Sequence, residues 1–230
     1  MGIQRFTGEL FRLIPSRFPP VSVYDGLVAN DRVETLVQVE NLTNPRLLSV
    51  NKLLGSHPHD PPPKLQNWNL APFKYINPEG SRFFSPTRPA LELADHPQTA
   101  LAISVARRET FMSRTGEPPI GLDMRMLRTP VDGLFLDFRH VPLDLDRRER
   151  WKLGEEVPAD VDGVLFHPPE RPSATCVAVL RGDALGRTIQ TVHYRFVWNG
   201  ARISMLYAFD DEGTKIFPEA LGEADDALAA

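Results

Sequence analysis

The sequence predicts an α+β domain with a mixed or antiparallel sheet and two or three helices. Short β-branched and aromatic runs fill the second half, and Asn199-Gly200 between Thr191–Trp198 and Arg202–Phe209 is a strong hairpin signal. One capped helical stretch runs from Pro97 to Gly116. The strands do not alternate strictly with helices, and neither a Gly-x-Gly-x-x-Gly run nor a phosphate-binding loop occurs, which disfavours a doubly wound dinucleotide fold.

At 230 residues the chain suits one or two domains, and its ordinary charged and apolar fractions argue against disorder throughout. Residues 1–210 are expected to form one domain and 211–230 an acidic, alanine-rich tail, frayed or weakly helical from Glu219 onward. A net charge of −4 argues against direct nucleic-acid binding. Proline, 22 of 230, is about twice average usage, so many irregular connections are expected. The single Cys176 excludes an intramolecular disulfide and lies in an apolar run, as a buried inert thiol would. No apolar run is long enough for a bilayer span and no signal-peptide core opens the chain; a reducing cytoplasm and no membrane partner are the expectations.

Ile3–Ile14 reads as a strand stopped by Pro15, with Arg12 inside its apolar end. Pro19 and Pro20 forbid a helix after it and hold Arg17 on a stiff segment, as a stacked surface residue or an anion clamp. Asp31 and Glu34 form a capping box for a helix ending before Asn44-Pro45, and a second short helix covers 46–54. His57, His59 and Asp60 sit in a proline-rich loop with no further ligand nearby, so no metal site is assigned. Trp68 to Ile76 reads as a partly buried connection.

Asn77 to Gly116 is the stretch around which a pocket should form. Gly80-Ser81 makes a turn that delivers Arg82, Pro89–Ala94 is a short strand, and Asp95 or His96 caps the helix that Pro97 opens. Helical spacing puts Thr99, Ile103, Ala106 and Thr110 on one face, and Leu101, Val105, Arg108 and Met112 on another. Beyond it, Leu122–Met126 and Leu134–Phe138 read as two strands, 144–156 as a short charged helix and loop, and Gly163–Phe166 and Cys176–Leu180 as buried strands.

Several segments carry a resemblance: Phe11-Arg-Leu-Ile-Pro-Ser-Arg-Phe-Pro-Pro-Val-Ser, Glu40-Asn-Leu-Thr-Asn-Pro-Arg-Leu, Asn77-Pro-Glu-Gly-Ser-Arg-Phe, Thr115-Gly-Glu-Pro-Pro and Tyr194-Arg-Phe-Val-Trp-Asn-Gly. In this order, over about residues 8 to 205, the chain resembles the RES-domain family. The resemblance implies a fold like that of ADP-ribosylating toxins. It also implies a toxin of a toxin–antitoxin pair that consumes NAD⁺ by phosphorolysis, glycohydrolysis or ADP-ribosyl transfer. NAD⁺ would then be substrate and not cofactor, and the partner a helix-turn-helix antitoxin that blocks the site.

That chemistry wants arginines for the diphosphate, a carboxylate facing the oxocarbenium-like ribose and an aromatic ring for the nicotinamide. By resemblance Arg12, Arg17 and Arg82 bind the nucleotide. The family's glutamate, four residues after the helix threonine, falls on Ile103; its strand aromatic falls on Leu91 or Glu92, and its serine near Pro168. Glu109, about 240° round the helix from Ile103, points elsewhere. Glu92 and His167 are therefore the candidate catalytic substitutes, the first for the carboxylate, the second as a donor to phosphate or ribose. Three readings stay open: an enzyme with a relocated carboxylate, a degenerate RES-like protein that binds a nucleotide or protein partner without turnover, or a retained fold whose site serves an unrelated ligand.

Overall fold

The computed structural model describes residues 2–16, 69, 72–73, 77–210, 213–223 and 228. Arg17, the helices expected between 31 and 54, and the loop with His57, His59 and Asp60 lie outside them.

Among the described residues, strand β1 (Ile3–Pro15) ends at the expected proline. It pairs antiparallel along its whole length with β3 (Ile120–Asp137), from Ile3↔Leu136 to Pro15↔Met124. The two strands expected around Leu122–Met126 and Leu134–Phe138 are thus one. Pro130 suggests a break because it lacks a donor, but β1 carries the pairing past it, and its carbonyl accepts from the Gly186 N–H at 2.8 Å.

Strand β2 (Leu91–Ala94) meets β1 at Phe11↔Ala94 and then pairs with β5 (Cys176–Val179). β5 pairs antiparallel with β4 (Gly163–Phe166), and β4 runs parallel to β3. The pairings β1–β2–β5–β4–β3–β1 form a closed circuit. From β3 the sheet continues through β6 (Ile189–Trp198), β7 (Ile203–Phe209) and β8 (Lys215–Ile216), with the β6–β7 hairpin at Asn199-Gly200. The result is an α+β fold with a mixed sheet.

Strand alternation divides the interior in two. Leu10, Leu91, Leu93, Phe135, Leu165, Val177 and Val179 pack as a small cluster on one face. Ala94, Phe166, Cys176 and Ala178 belong to the larger core on the other, where Leu101, Val105 and Met112 of helix α1 (Pro97–Thr115) pack. His96 caps α1, its Nδ1 accepting from the Gln98 N–H at 3.3 Å, and Gly116 ends it in the left-handed conformation. Asp95 instead joins β2 to β5, accepting from the Thr175 N–H at 2.7 Å. Helix α2 (Arg147–Glu155) is capped by Asp146.

The end of the chain departs from the expectation of a frayed tail. β8 pairs with β7, Leu221 is buried, and the side-chain amide of Gln98 donates to the carbonyls of Ala220, Leu221 and Glu223. Composition hid this, because one buried leucine and three backbone acceptors anchor an otherwise acidic segment.

Candidate functional site

A cavity of about 830 Å³ opens where β1 and β2 part, beside α1 and α2. The turn before β2 enters it because Gly80 adopts φ 68°; a Cβ there would stand 2.5 Å from the Phe84 carbonyl oxygen and 2.8 Å from Trp151. The Trp151 indole N–H donates to the Ser81 carbonyl at 3.1 Å, which fixes the turn to α2.

The charged part of the lining is mostly arginine: Arg12 from β1, Arg82 from the turn, Arg107, Arg108 and Arg114 from α1, and Arg147 and Arg150 from α2. Glu79, Glu92 and Glu170 are the lining acids among the described residues. Arg12 and Arg82, remote in sequence, thus reach one cavity. Arg12 shares the strand face of Leu10, opposite that of Glu92; the seam between β1 and β2 admits both.

Alternation with Leu91 and Leu93 turns Glu92 toward α1, where only 11% of its side chain stays exposed. One carboxylate oxygen accepts from the Arg82 backbone N–H at 2.8 Å, and the other pairs with the Arg107 guanidinium. Arg107 lies one turn beyond Ile103 and is itself 61% exposed. The carboxylate raises the Arg107 pKa, chiefly by charge attraction.

The other guanidiniums are less well matched. Arg82 donates from Nη2 to the Leu143 carbonyl at 3.0 Å, while its Nε is buried without a hydrogen-bond partner. Burial and then the Arg150 charge lower its pKa. Arg150 donates from Nε to the Arg82 carbonyl at 3.1 Å and from Nη1 to that of Leu145. Burial and then Arg147 lower it. Arg108 is lowered by burial and then by Arg107, and burial brings Arg12 down to about 10. Grouped, partly desolvated cations of this kind are a receptor for anions.

His167 is placed differently from Glu92. Its Nδ1 lies 2.5 Å from the Ala174 carbonyl oxygen, so that nitrogen carries the proton. Its neighbours Phe166 and Pro168 line the cavity, whereas His167 is not among the described lining residues. The positions read as replaced, Leu91, Ile103 and Pro168, all stand in the cavity wall. Glu109 faces away and accepts from the Ile203 N–H at 2.8 Å. Thr99 is buried, its hydroxyl accepting from Arg171 at 3.2 Å.

The sequence reading missed the arginines of α1 and α2 as a group, although Arg107, four residues beyond Ile103, was within reach of helical spacing. It also missed Phe111, 54% exposed and lining the cavity, which supplies an aromatic face where β2 has none. Among the described residues no cluster of three His, Cys, Asp or Glu could hold a metal, and no helix is long and apolar enough to cross a membrane.

Fold and site together define an α+β domain with an arginine-lined cavity at a sheet seam. A profile of the RES domain matches residues 58–199, more than half of the chain, and the protein belongs to the RES-domain family. It is 68% identical over 221 residues, 96% of each chain, to a protein of Sinorhizobium fredii named "Uncharacterized protein y4oC".

Proposed function

We propose that the cavity binds NAD⁺ through its diphosphate and that the protein cleaves the nicotinamide–ribose bond, with Glu92 as the carboxylate facing the ribose. The observation that carries this reading is Glu92 itself: an enclosed carboxylate in a wall otherwise rich in arginine, with Ile103 where the family's glutamate is expected. Arg12 and Arg82 hold the diphosphate, and Phe111 offers its ring to a base or the nicotinamide. On cleavage the bonding electrons pass to the nicotinamide ring nitrogen and neutralise it. The ribose carbon left behind is oxocarbenium-like, and a carboxylate stabilises it. Water or phosphate then attacks that carbon, water losing a proton as it does so. Toxicity to the producing cell, and a helix-turn-helix antitoxin that covers the cavity, belong to the same reading.

A second reading has its own observation. Both oxygens of Glu92 are engaged, one by the Arg82 N–H and one by Arg107, which suits a receptor that binds a nucleotide without turnover.

The purified protein incubated with NAD⁺, with and without phosphate, should release nicotinamide. Glu92→Gln should reduce the rate by about two orders of magnitude, the scale of losing one transition-state electrostatic partner. Growth arrest on expression should disappear with Arg82→Ala. Tight ADP-ribose binding with no nicotinamide released would establish the second reading instead. Neither binding nor release would remove both.

A further inference from the structure

Four arginines of the cavity share one lining carboxylate among the described residues. Arg107 is offset by Glu92, and Arg114 by Glu79. With those pairs and Arg12 set aside, Arg82, Arg108, Arg147 and Arg150 face one further carboxylate, Glu170, among the described lining residues. The surplus is three positive charges.

Arg150 bonds to neutral carbonyls, so its charge is solvated but not cancelled. Arg147 rests on the Trp151 ring, 5.9 Å from its centroid, and its side chain makes no hydrogen bond or ion pair among the described residues. Arg108 is half-buried on α1 and likewise makes none. Arg147 is exposed to solvent, whereas the half-buried Arg108 guanidinium, without a partner, is costly unless a ligand supplies one. A diphosphate linking two nucleosides brings two negative charges, one short of the surplus even without Arg12. A phosphomonoester adds about −1.5 to −2 at neutral pH.

We propose that the cavity takes a dinucleotide carrying a third phosphate, a phosphomonoester on the nucleoside away from the bond that breaks, bound by Arg108 and Arg147. This rests on the nucleotide reading above and narrows its substrate class to phosphorylated nicotinamide dinucleotides. Such a substrate presents three phosphates, and guanidinium forks suit the monoester best because it offers three oxygens.

Titration calorimetry of the full-length protein with ADP-ribose and with ADP-ribose 2′-phosphate tests this without turnover, each with and without saturating inorganic phosphate. The 2′-phosphorylated compound should bind at least tenfold more tightly. The double variant Arg108→Gln, Arg147→Gln should bind both compounds alike, with ADP-ribose affinity within about threefold of wild type. If the double variant does not fold, Arg108→Lys and Arg147→Lys singly should each reduce the preference, since an ammonium keeps the charge but loses the fork. Equal affinity of the wild type for the two compounds would overturn the proposal while leaving the nucleotide site standing. So would a preference that survives in the variants, or inorganic phosphate that raises ADP-ribose affinity to the level of the phosphorylated compound. If neither compound binds, the nucleotide reading falls and this proposal falls with it.

Discussion

Tyr194 shows how one buried residue ties the stability of the sheet to pH. It lies on β6 facing the larger core, only 5% exposed. Burial, assisted by the Asp210 charge, pushes its phenol up to about 12. In the unfolded chain the phenol titrates near 10. The folded state therefore holds its proton at pH values where the unfolded state has lost it. The stability linked to this is fully present below pH 10 and is lost as pH rises through about 12. At about 1.4 kcal/mol per pKa unit the loss approaches about 3 kcal/mol. Tyr194→Phe should flatten that alkaline limb and leave stability at pH 7 nearly unchanged, as urea unfolding at pH 7 and pH 11 would measure.

At the scale of elements, α2 is the support on which two of the seven described lining arginines, Arg147 and Arg150, rest. Its last turn is held by Arg88, which donates to the carbonyls of Gly154 at 2.6 Å and Val157 at 3.0 Å. Gly154 packs so closely on the preceding loop that a Cβ would collide with the Phe83 carbonyl oxygen. Gly154→Ala should lift α2 from that loop and cost about 2 kcal/mol or more, as overpacking at rigid backbone does. The same shift moves Arg150, which donates to the Arg82 carbonyl, relative to Arg82, so ADP-ribose affinity should fall with stability. Denaturant unfolding and calorimetry on the one variant check both effects. Helix α1 divides its duties by face: Leu101, Val105 and Met112 enter the core, and Ile103, Ala106 and Thr110 line the cavity. Period 3.6 alone separates those two faces, which is why they were legible as two sets before any coordinates, although Thr99 of the second set is buried against Arg171. Arg108 shares the helical spacing of the core-facing set yet lines the cavity, because a long side chain bends round a helix to reach water or a ligand.

For the whole molecule, the segment after residue 210 closes the fold. Gln98 sits at the first turn of α1 with its amide on three carbonyls of the 3₁₀ turn Pro218–Gly222 and its edge. Arg171, from the loop between β4 and β5, donates to the Glu223 carbonyl at 2.9 Å. A chain ending at Asp210 should lose the burial of Ile216 and Leu221 and the carbonyls to which the Gln98 amide and the Arg171 Nε donate. Unmet buried donors cost about 1–3 kcal/mol each, so a thermal scan of the shortened chain should show a lower midpoint by well over 5 °C.

The sequence by itself determined the element types for most of the described chain: the capped helix from Pro97, the β6–β7 hairpin, the buried pair β4 and β5, and the turn at Gly80. These follow from local rules, since caps, positive-φ glycines and side-chain periodicity act within a few residues. It also pointed to Arg12, Arg82 and Glu92, because resemblance and strand alternation are read along the chain. Only the tertiary structure decided that β3 runs unbroken past Pro130, that the last residues of the sheet belong to the domain, and that arginines of two helices meet those of β1 and the turn. It also decided that Glu92 is paired with Arg107 and that His167 bonds to its own loop. Pairing, burial and the balance of charge in a cavity depend on which distant segments become neighbours, and no local pattern carries that.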